Sequence, residues 1–347
     1  MPSRLLRAAP WLVVAAVAAV LWAHVVPFPP TRRLDAQAPF TQLAAMRTGL
    51  TALAVLVGVA LLAVALHRRR GRAPAAALVA VALASAAQLA PRALVTGESE
   101  RDGAPGVTVL VANLLRSEVA PPVVVDLVRR SRADVLLLPE TNVTLAGRIA
   151  RALTEARGER WLALGDERTP PERARSARPT SLVVRAALGP RRLAVPPDAP
   201  RAHGQVRIAL GRASRRDGTV VRDVAGPRVA AVHPLPPWPA AAQRDWRRDL
   251  LALRPLCRRG WVVGGDLNAT LDHSPLRAAL AAGCEDAAAA TGQGLRPTWS
   301  GGPLGVVRPA IDHVLSSGDW RASRAGILRI RGSDHRAVWA RLVRAPR

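Results

Sequence analysis

Three long apolar runs open the chain, and a different pattern replaces them afterwards. Residues 11–26 (WLVVAAVAAVLWAHVV), 48–66 (TGLTALAVLVGVALLAVAL) and 73–90 (APAAALVAVALASAAQLA) contain no Asp, Glu, Lys or Arg. About 20 apolar residues in a helix cross a bilayer. Each run, with its flanks, therefore predicts a membrane span. The first run begins after basic residues and is rich in small ones, as a secretory leader is. A cleaved leader, however, needs no further runs behind it. The third run is Ala-rich, and Ala is weakly apolar, so its competing reading is a soluble helix. Residues 96–106 (TGESERDGAPG) are polar, with Gly and Pro, and predict a linker. The predicted organisation is a membrane region over 1–95, the linker over 96–106 and a catalytic domain over 107–347.

Beyond the linker the apolar runs shorten and alternate with amphipathic stretches. Strands are predicted at 107–112, 134–138, 181–185, 206–210, 228–232, 261–263, 311–316 and 337–343. Helices are predicted at 121–132, 143–157, 240–256 and 275–282, the first with Pro in its opening turn. Residues 165–180 read as a charged, Pro-rich loop, and 211–227 as a hairpin or loop that presents Arg. Strands that outnumber interleaved helices predict an α/β sandwich. Its four layers would be two packed mixed sheets flanked by helices, preceded by transmembrane helices.

Charge adds an orientation. All 50 basic residues are Arg, Tyr is absent, and the formal charge is +25. Codon bias of a GC-rich genome accounts for part of this. A basic surface also favours polyanions or an anionic membrane face. Arg4 and Arg7 precede the first span, and His67-Arg68-Arg69-Arg70-Gly71-Arg72 fills the second connection. Positive-inside placement puts both on the cytoplasmic side. Three spans then leave the large domain outside the cytoplasm, whereas without the third span it lies inside. Cys257 and Cys284 are too few for a metal cluster. They pair if the domain lies in an oxidising compartment, or remain two separately buried thiols.

The polar residues that carry chemistry stand at the ends of apolar runs. Asn113 follows the first predicted strand, Glu140 the second, and His233 the run at 228–232. Asp266 and Asn268 follow Val262-Val263-Gly264-Gly265 and, two positions apart, face the same way in extended chain. Ile311-Asp312-His313 and Ser333-Asp334-His335 complete the series. Carboxylate and amide oxygens suit Mg²⁺, with Mn²⁺ as a substitute. Taken singly, Asn113 reads equally as a turn residue, Glu140 as the start of a helix, and Asp266-Asn268 or Ser333-Asp334-His335 as polar turns.

In order and spacing the set resembles the endonuclease/exonuclease/phosphatase superfamily over residues 107–343. The resemblance rests on Gly265-Asp266-Leu267-Asn268, Ile311-Asp312-His313, Ser333-Asp334-His335 and Pro297-Thr298-Trp299. It departs at Pro139, where the family often has Gln. The resemblance implies Glu140, Asp334 and Asn113 around a metal ion. It implies His233 on the scissile phosphate and Asp266 on the attacking water. Asn268 would bind the phosphate oxygens, and Asp312 would support His335, which acts as imidazolium or as base. His313, Asp272 and His273 read as supporting or surface groups. The implied function is metal-dependent phosphoester hydrolysis by in-line attack of water, on nucleic acid or phospholipid. The competing class is a catalytically inactive, membrane-tethered binding module. The bilayer is the one partner evident besides substrate; no protein partner is.

Overall fold

The structure is a computed structural model. It describes residues 2–25, 33–95, 106–166, 179–196, 205–216, 219–258, 260–301 and 308–345. Residues 167–178 of the charged loop and nearly all of the linker named above lie outside the described residues, as do the side chains of residues 212–225 in the hairpin.

The N-terminal region is helical: α1 (Pro2–Leu21), α2 (Phe40–Ala45), α3 (Arg47–Arg68), α4 (Arg72–Leu89) and α5 (Pro91–Leu94). Among the described residues, α3 and α4 are long and apolar enough to cross a membrane, and α1 has a shorter apolar stretch at Ala8–Leu21. Much of α3 is exposed, including Leu56 at 71%.

Two six-stranded sheets follow. The first runs β11-β12-β1-β2-β4-β3 and the second β5-β6-β7-β8-β10-β9. The strands are β1 (Gly106–Val111), β2 (Val135–Leu138), β3 (Trp161–Gly165), β4 (Ser181–Arg185), β5 (Arg191–Leu193) and β6 (Gln205–Arg216). They continue with β7 (Thr219–Val232), β8 (Trp261–Asp266), β9 (Cys284–Asp286), β10 (Asp312–Ser317), β11 (Trp320–Arg329) and β12 (Arg336–Arg344). Helices α6 (Pro121–Ser131) and α7 (Val143–Arg157) cover the first sheet. Helices α8 (Gln243–Leu251) and α9 (Ser274–Leu280) cover the second, and α10 (Ala287–Ala290) is a single turn.

Alternation along the strands explains the layers. In β1, Val107, Val109 and Val111 face the second sheet, whereas Leu110 faces α6 and α7. In β8, Val262 faces the first sheet and Val263 packs on Trp246 and Leu250 of α8. These two strands are buried on both faces, so each reads as a continuous apolar run and not as an alternating one.

The four-layer architecture matches the prediction, and the differences have local causes. Strands β3, β5, β9 and β11 were not predicted. Arg321, Arg324 and Arg329 interrupt β11 at the sheet edge, where strands tolerate charge. The helix predicted over 240–256 ends at Leu251, and Pro255 lies in a separate 3₁₀ turn. Cys257 and Cys284 form a disulfide.

Topology gathers the functional ends. β1 and β2 are parallel, as are β7 and β8, so all four finish at one edge of the sandwich. Their antiparallel neighbours β12 and β10 begin there. The sheets approach closely at Gly264, where a Cβ would lie 2.7 Å from Leu137 Cδ1. At Gly265 a Cβ would lie 1.7 Å from the Val232 carbonyl oxygen. Only glycines permit this crossing of backbone and side chain.

Candidate active site

The convergent edge brings together Asn113, Glu140, His233, Asp266, Asp312 and His335, each at most 8% exposed. Asp266 is the hub. Its Oδ2 accepts from Asn113 Nδ2 at 3.1 Å, and its Oδ1 accepts from the Asn268 backbone N–H at 2.9 Å. Nε2 of His233 lies 3.6 Å from Oδ2, and Nε2 of His335 lies 3.7 Å from the same oxygen. One carboxylate thus faces two imidazoles, one from each sheet edge. Burial alone pushes a carboxylate up. The two histidines and the Asn268 N–H more than reverse this and hold Asp266 at about 2. Asp266 is therefore ionised at neutral pH.

Asp312 faces Asp266 directly in the β8–β10 register. Its Oδ2 lies 2.9 Å from His335 Nδ1. Thr298 Oγ1 accepts from the backbone N–H groups of Ile311 and Asp312, which fixes the start of β10. Burial opposes the charged form of His335, but Asp312, Asp266 and Asp334 outweigh it and raise the imidazole to about 10. Of the two roles left open for His335, this one favours the imidazolium. Nδ1–H points at Asp312, and Nε2–H points toward Asp266.

The other groups are held from outside. Trp299 Nε1 donates to Asp334 Oδ2 at 2.8 Å, and Ser333 Oγ donates to the Asn113 carbonyl. Asn113 Oδ1 accepts from Leu115 N, so its amide spans from the loop to Asp266. Asn268 Nδ2 donates to the Pro234 carbonyl, tying the ends of β7 and β8 together, and its own carbonyl accepts from Trp246 Nε1. An amide nitrogen has two hydrogens, so one donor of Asn268 remains for a ligand. Glu140 sits in a left-handed turn after β2, with φ 53°, and its Oε2 accepts from Arg116 N. That turn aims the carboxylate back into the site rather than along the strand.

The residues fit a hard divalent cation. Glu140, His233 and Asp266 each place a ligand atom within 4.8 Å of the others, and so do Asp266, Asp312 and His335. Oδ1 of Asp334 is buried with no hydrogen-bond partner. An orphaned buried carboxylate oxygen is a donor for an oxygen-seeking ion, but Asp334 belongs to neither of these two groups, and its other oxygen is held by Trp299.

Three other groups were read as supporting or surface residues, and the structure decides between the two. His313, Asp272 and His273 include no surface residue; all are at most 3% exposed. Both nitrogens of His313 face acceptors, Asp286 Oδ2 at 2.8 Å and the Ala269 carbonyl at 2.8 Å. It props the loop behind Asn268. Asp272 and His273 belong instead to a joint with the N-terminal region. Asp272 accepts from Arg47 NH1 at 2.7 Å and from both terminal nitrogens of Arg92 at 3.0 Å. His273 Nε2 meets the Thr41 carbonyl at 2.9 Å, and Asp35 accepts from Ser274 N at the head of α9. Sequence reasoning missed this joint. Its one signal was Asp35, the single acidic residue before position 96.

A four-layer sandwich with a carboxylate–imidazole centre at one edge defines a class of phosphoesterase folds. The family model for the endonuclease/exonuclease/phosphatase family matches residues 112–335, and the chain belongs to that family. No curated protein matches the chain. Among solved structures, an endonuclease/exonuclease/phosphatase from Beutenbergia cavernae DSM 12333 aligns at 15% identity and TM-score 0.48, covering 69% of this chain and 72% of that one. D. rerio TDP2 complexed with a single-strand DNA product aligns at 14% identity and TM-score 0.49, covering 68% and 98%. A mannosyl-6-phosphatase from Bacteroides thetaiotaomicron VPI-5482 aligns at 17% identity and TM-score 0.45, covering 68% and 99%.

Proposed function

We propose that the chain is a membrane-anchored, divalent-metal-dependent phosphohydrolase acting by in-line attack of water. The observation that carries this reading is the ionised Asp266 carboxylate facing the imidazoles of His233 and His335. Glu140, Asp334 and Asn113 would hold the ion, Mg²⁺ by the hardness of their oxygens. Bound there, it supplies Lewis-acid neutralisation of charge on the phosphate and leaving oxygen. Asp266 accepts a hydrogen bond from the attacking water and orients it. At about 2 its carboxylate is a weak base, so it takes the proton only as the new bond forms. His335, as imidazolium, and the remaining donor of Asn268 stabilise the charge that develops on the phosphoryl oxygens. Asp312 holds His335 in the orientation this requires. His233 binds the scissile phosphate. Both nucleic acid and phospholipid present such an ester.

The membrane reading rests on α3 and α4 and on Trp238, 72% exposed beside the joint, as amphipathic rings stand at membrane interfaces. The Cys257–Cys284 disulfide supports a domain in an oxidising compartment, in line with the Arg placement.

The test is hydrolysis by the full chain in lipid nanodiscs, with Mg²⁺ or EDTA. Substrates would be plasmid DNA, sphingomyelin, phosphatidylinositol phosphates and bis-p-nitrophenyl phosphate. Metal-dependent turnover should fall roughly 10²–10⁴-fold in Asp266→Asn, which keeps the shape and removes the charge. Turnover equal in wild type and variant, or unchanged by EDTA, would sink the proposal.

A further inference from the structure

We propose that a cavity where α3 meets the catalytic domain binds one anionic phospholipid of the leaflet that the domain faces. This inference rests on the membrane reading of α3 and α4.

The cavity holds about 520 Å³, the scale of a ligand site and not of a packing defect. One wall is the head of α3 with the residue before it: Met46, Gly49, Leu50 and Leu53. The facing wall is catalytic-domain loop, including Leu271, Pro297 and Pro309. Its cationic groups are Arg92 and Arg308. Arg92 has both terminal nitrogens on Asp272, a carboxylate it shares with Arg47, and so has no terminal nitrogen free for a ligand. Arg308 is exposed and makes no ion pair among the described residues. The rim is therefore positive over an apolar interior.

The shape of the apolar surface selects the occupant. Leu50, Leu53 and Val57 share one face of α3, by helical spacing. Leu53 is 56% and Val57 43% exposed, so the apolar wall continues out of the cavity and along the span. An acyl chain can follow that stripe while its phosphate meets Arg308. A free phosphate would leave the apolar wall unused, and an uncharged lipid would leave the cation unused.

The position also matters. Thr270 lines the cavity two positions after Asn268, Pro297 directly before Thr298, and Ala310 two positions before Asp312. Three segments that build the catalytic centre thus run on into the cavity wall. A lipid seated there is held at the base of those segments.

Gly49 offers a clean probe, because a Cβ at that position meets nothing within 4 Å. Gly49 lines the cavity, so Gly49→Leu puts bulk there with its Cβ in open space, and it raises helix propensity. Native mass spectrometry of the full chain in detergent, titrated with phosphatidylglycerol or phosphatidylcholine, reads the bound lipid. Wild type should retain one phosphatidylglycerol. Gly49→Leu should weaken that binding about tenfold or more. Arg308→Glu should remove roughly a tenfold preference for phosphatidylglycerol, the scale of one lost charge-assisted contact. Equal retention by wild type and Gly49→Leu, or a preference untouched by Arg308→Glu, would overturn the site. Carbonate extraction of cell membranes separates the underlying reading. A chain released by carbonate refutes the membrane reading, whereas a chain that stays in the pellet with unchanged lipid binding in Gly49→Leu refutes the site alone.

Discussion

Asp272→Asn probes the joint between the N-terminal helices and the catalytic domain. Asp272 is 3% exposed, and Arg47, which donates to it at 2.7 Å, is 2% exposed. In the variant, Arg47 keeps only neutral acceptors: Ser85 Oγ, Gln88 Oε1 and the amide oxygen that replaces the carboxylate. Removing one partner of such a buried pair costs about 3–5 kcal/mol, because the remaining charge stays desolvated. Removing both charges costs less. Asp272→Asn combined with Arg47→Met should therefore be more stable than Asp272→Asn alone, by roughly 1–3 kcal/mol. The assay is urea unfolding of the full chain in detergent, followed by tryptophan fluorescence. Trp246 stands edge-on to His273 at 5.1 Å and reports on the joint. The pH dependence has a defined sign. Burial pushes Asp272 up, but Arg92 and Arg47 more than reverse it, so its folded pKa lies below the ordinary value. Its contribution is present above about pH 4 and is lost as pH falls through the lower folded value. Wild type should lose this increment in acid, and Asp272→Asn should not. Additive single and double variants, or an acid limb unchanged in Asp272→Asn, would refute a coupled buried joint.

Other outcomes follow from the same geometry. Asp312→Asn should lower turnover roughly 10²-fold or more by releasing His335, and should also lower the urea midpoint, because it leaves a buried imidazolium without its nearest carboxylate; full activity would deny Asp312 its supporting role. Cys257→Ser with Cys284→Ser should cost about 3–4 kcal/mol, from the chain entropy of a loop spanning 27 positions, seen as a lower urea midpoint. A midpoint unmoved by the variant or by reductant would contradict it. His313→Gln should cost about 3–5 kcal/mol by leaving Asp286 without its cation. Burial pushes His313 down, but Asp286 raises it above the ordinary value, so its increment is full below about pH 6.5 and is lost as pH rises through the folded value. Wild type should show that alkaline loss in urea titrations and His313→Gln should not. Residues 101–347 alone should be less stable than the full chain, because Asp272 then lacks Arg47 and Arg92; equal urea midpoints would refute that.

Legibility in the sequence followed local geometry. Strands buried on both faces, such as β1, β2 and β8, are dense apolar runs and could be read directly. So could the residues at their ends, because Asn113, Glu140 and Asp266 interrupt those runs abruptly. The edge strand β11 could not, since its Arg residues break the period that a half-buried strand shows. The pairing of Asp312 with His335 was expected only through family resemblance, and that of Trp299 with Asp334 was not expected at all. No spacing along the chain brings positions 23 or 35 apart into contact. The contacts of Asp35, Arg47 and Arg92 were illegible for a further reason. They link segments more than 170 positions apart, and each alone looks like a flanking charge of a membrane span.

The joint and the catalytic centre share one loop. Asp266 and Asn268 lie at its start, Thr270 binds its turn through His273, and Asp272 meets the two arginines from the N-terminal region. His313, from the facing strand, holds the Ala269 carbonyl midway. The loop is thus pinned on one side by the second sheet and on the other by helices that precede the domain. A segment held at both ends is preorganised, and the electrostatic stabilisation proposed above depends on such preorganisation. The N-terminal helices are therefore part of what holds Asp266 and Asn268 in place, in addition to any role as an anchor.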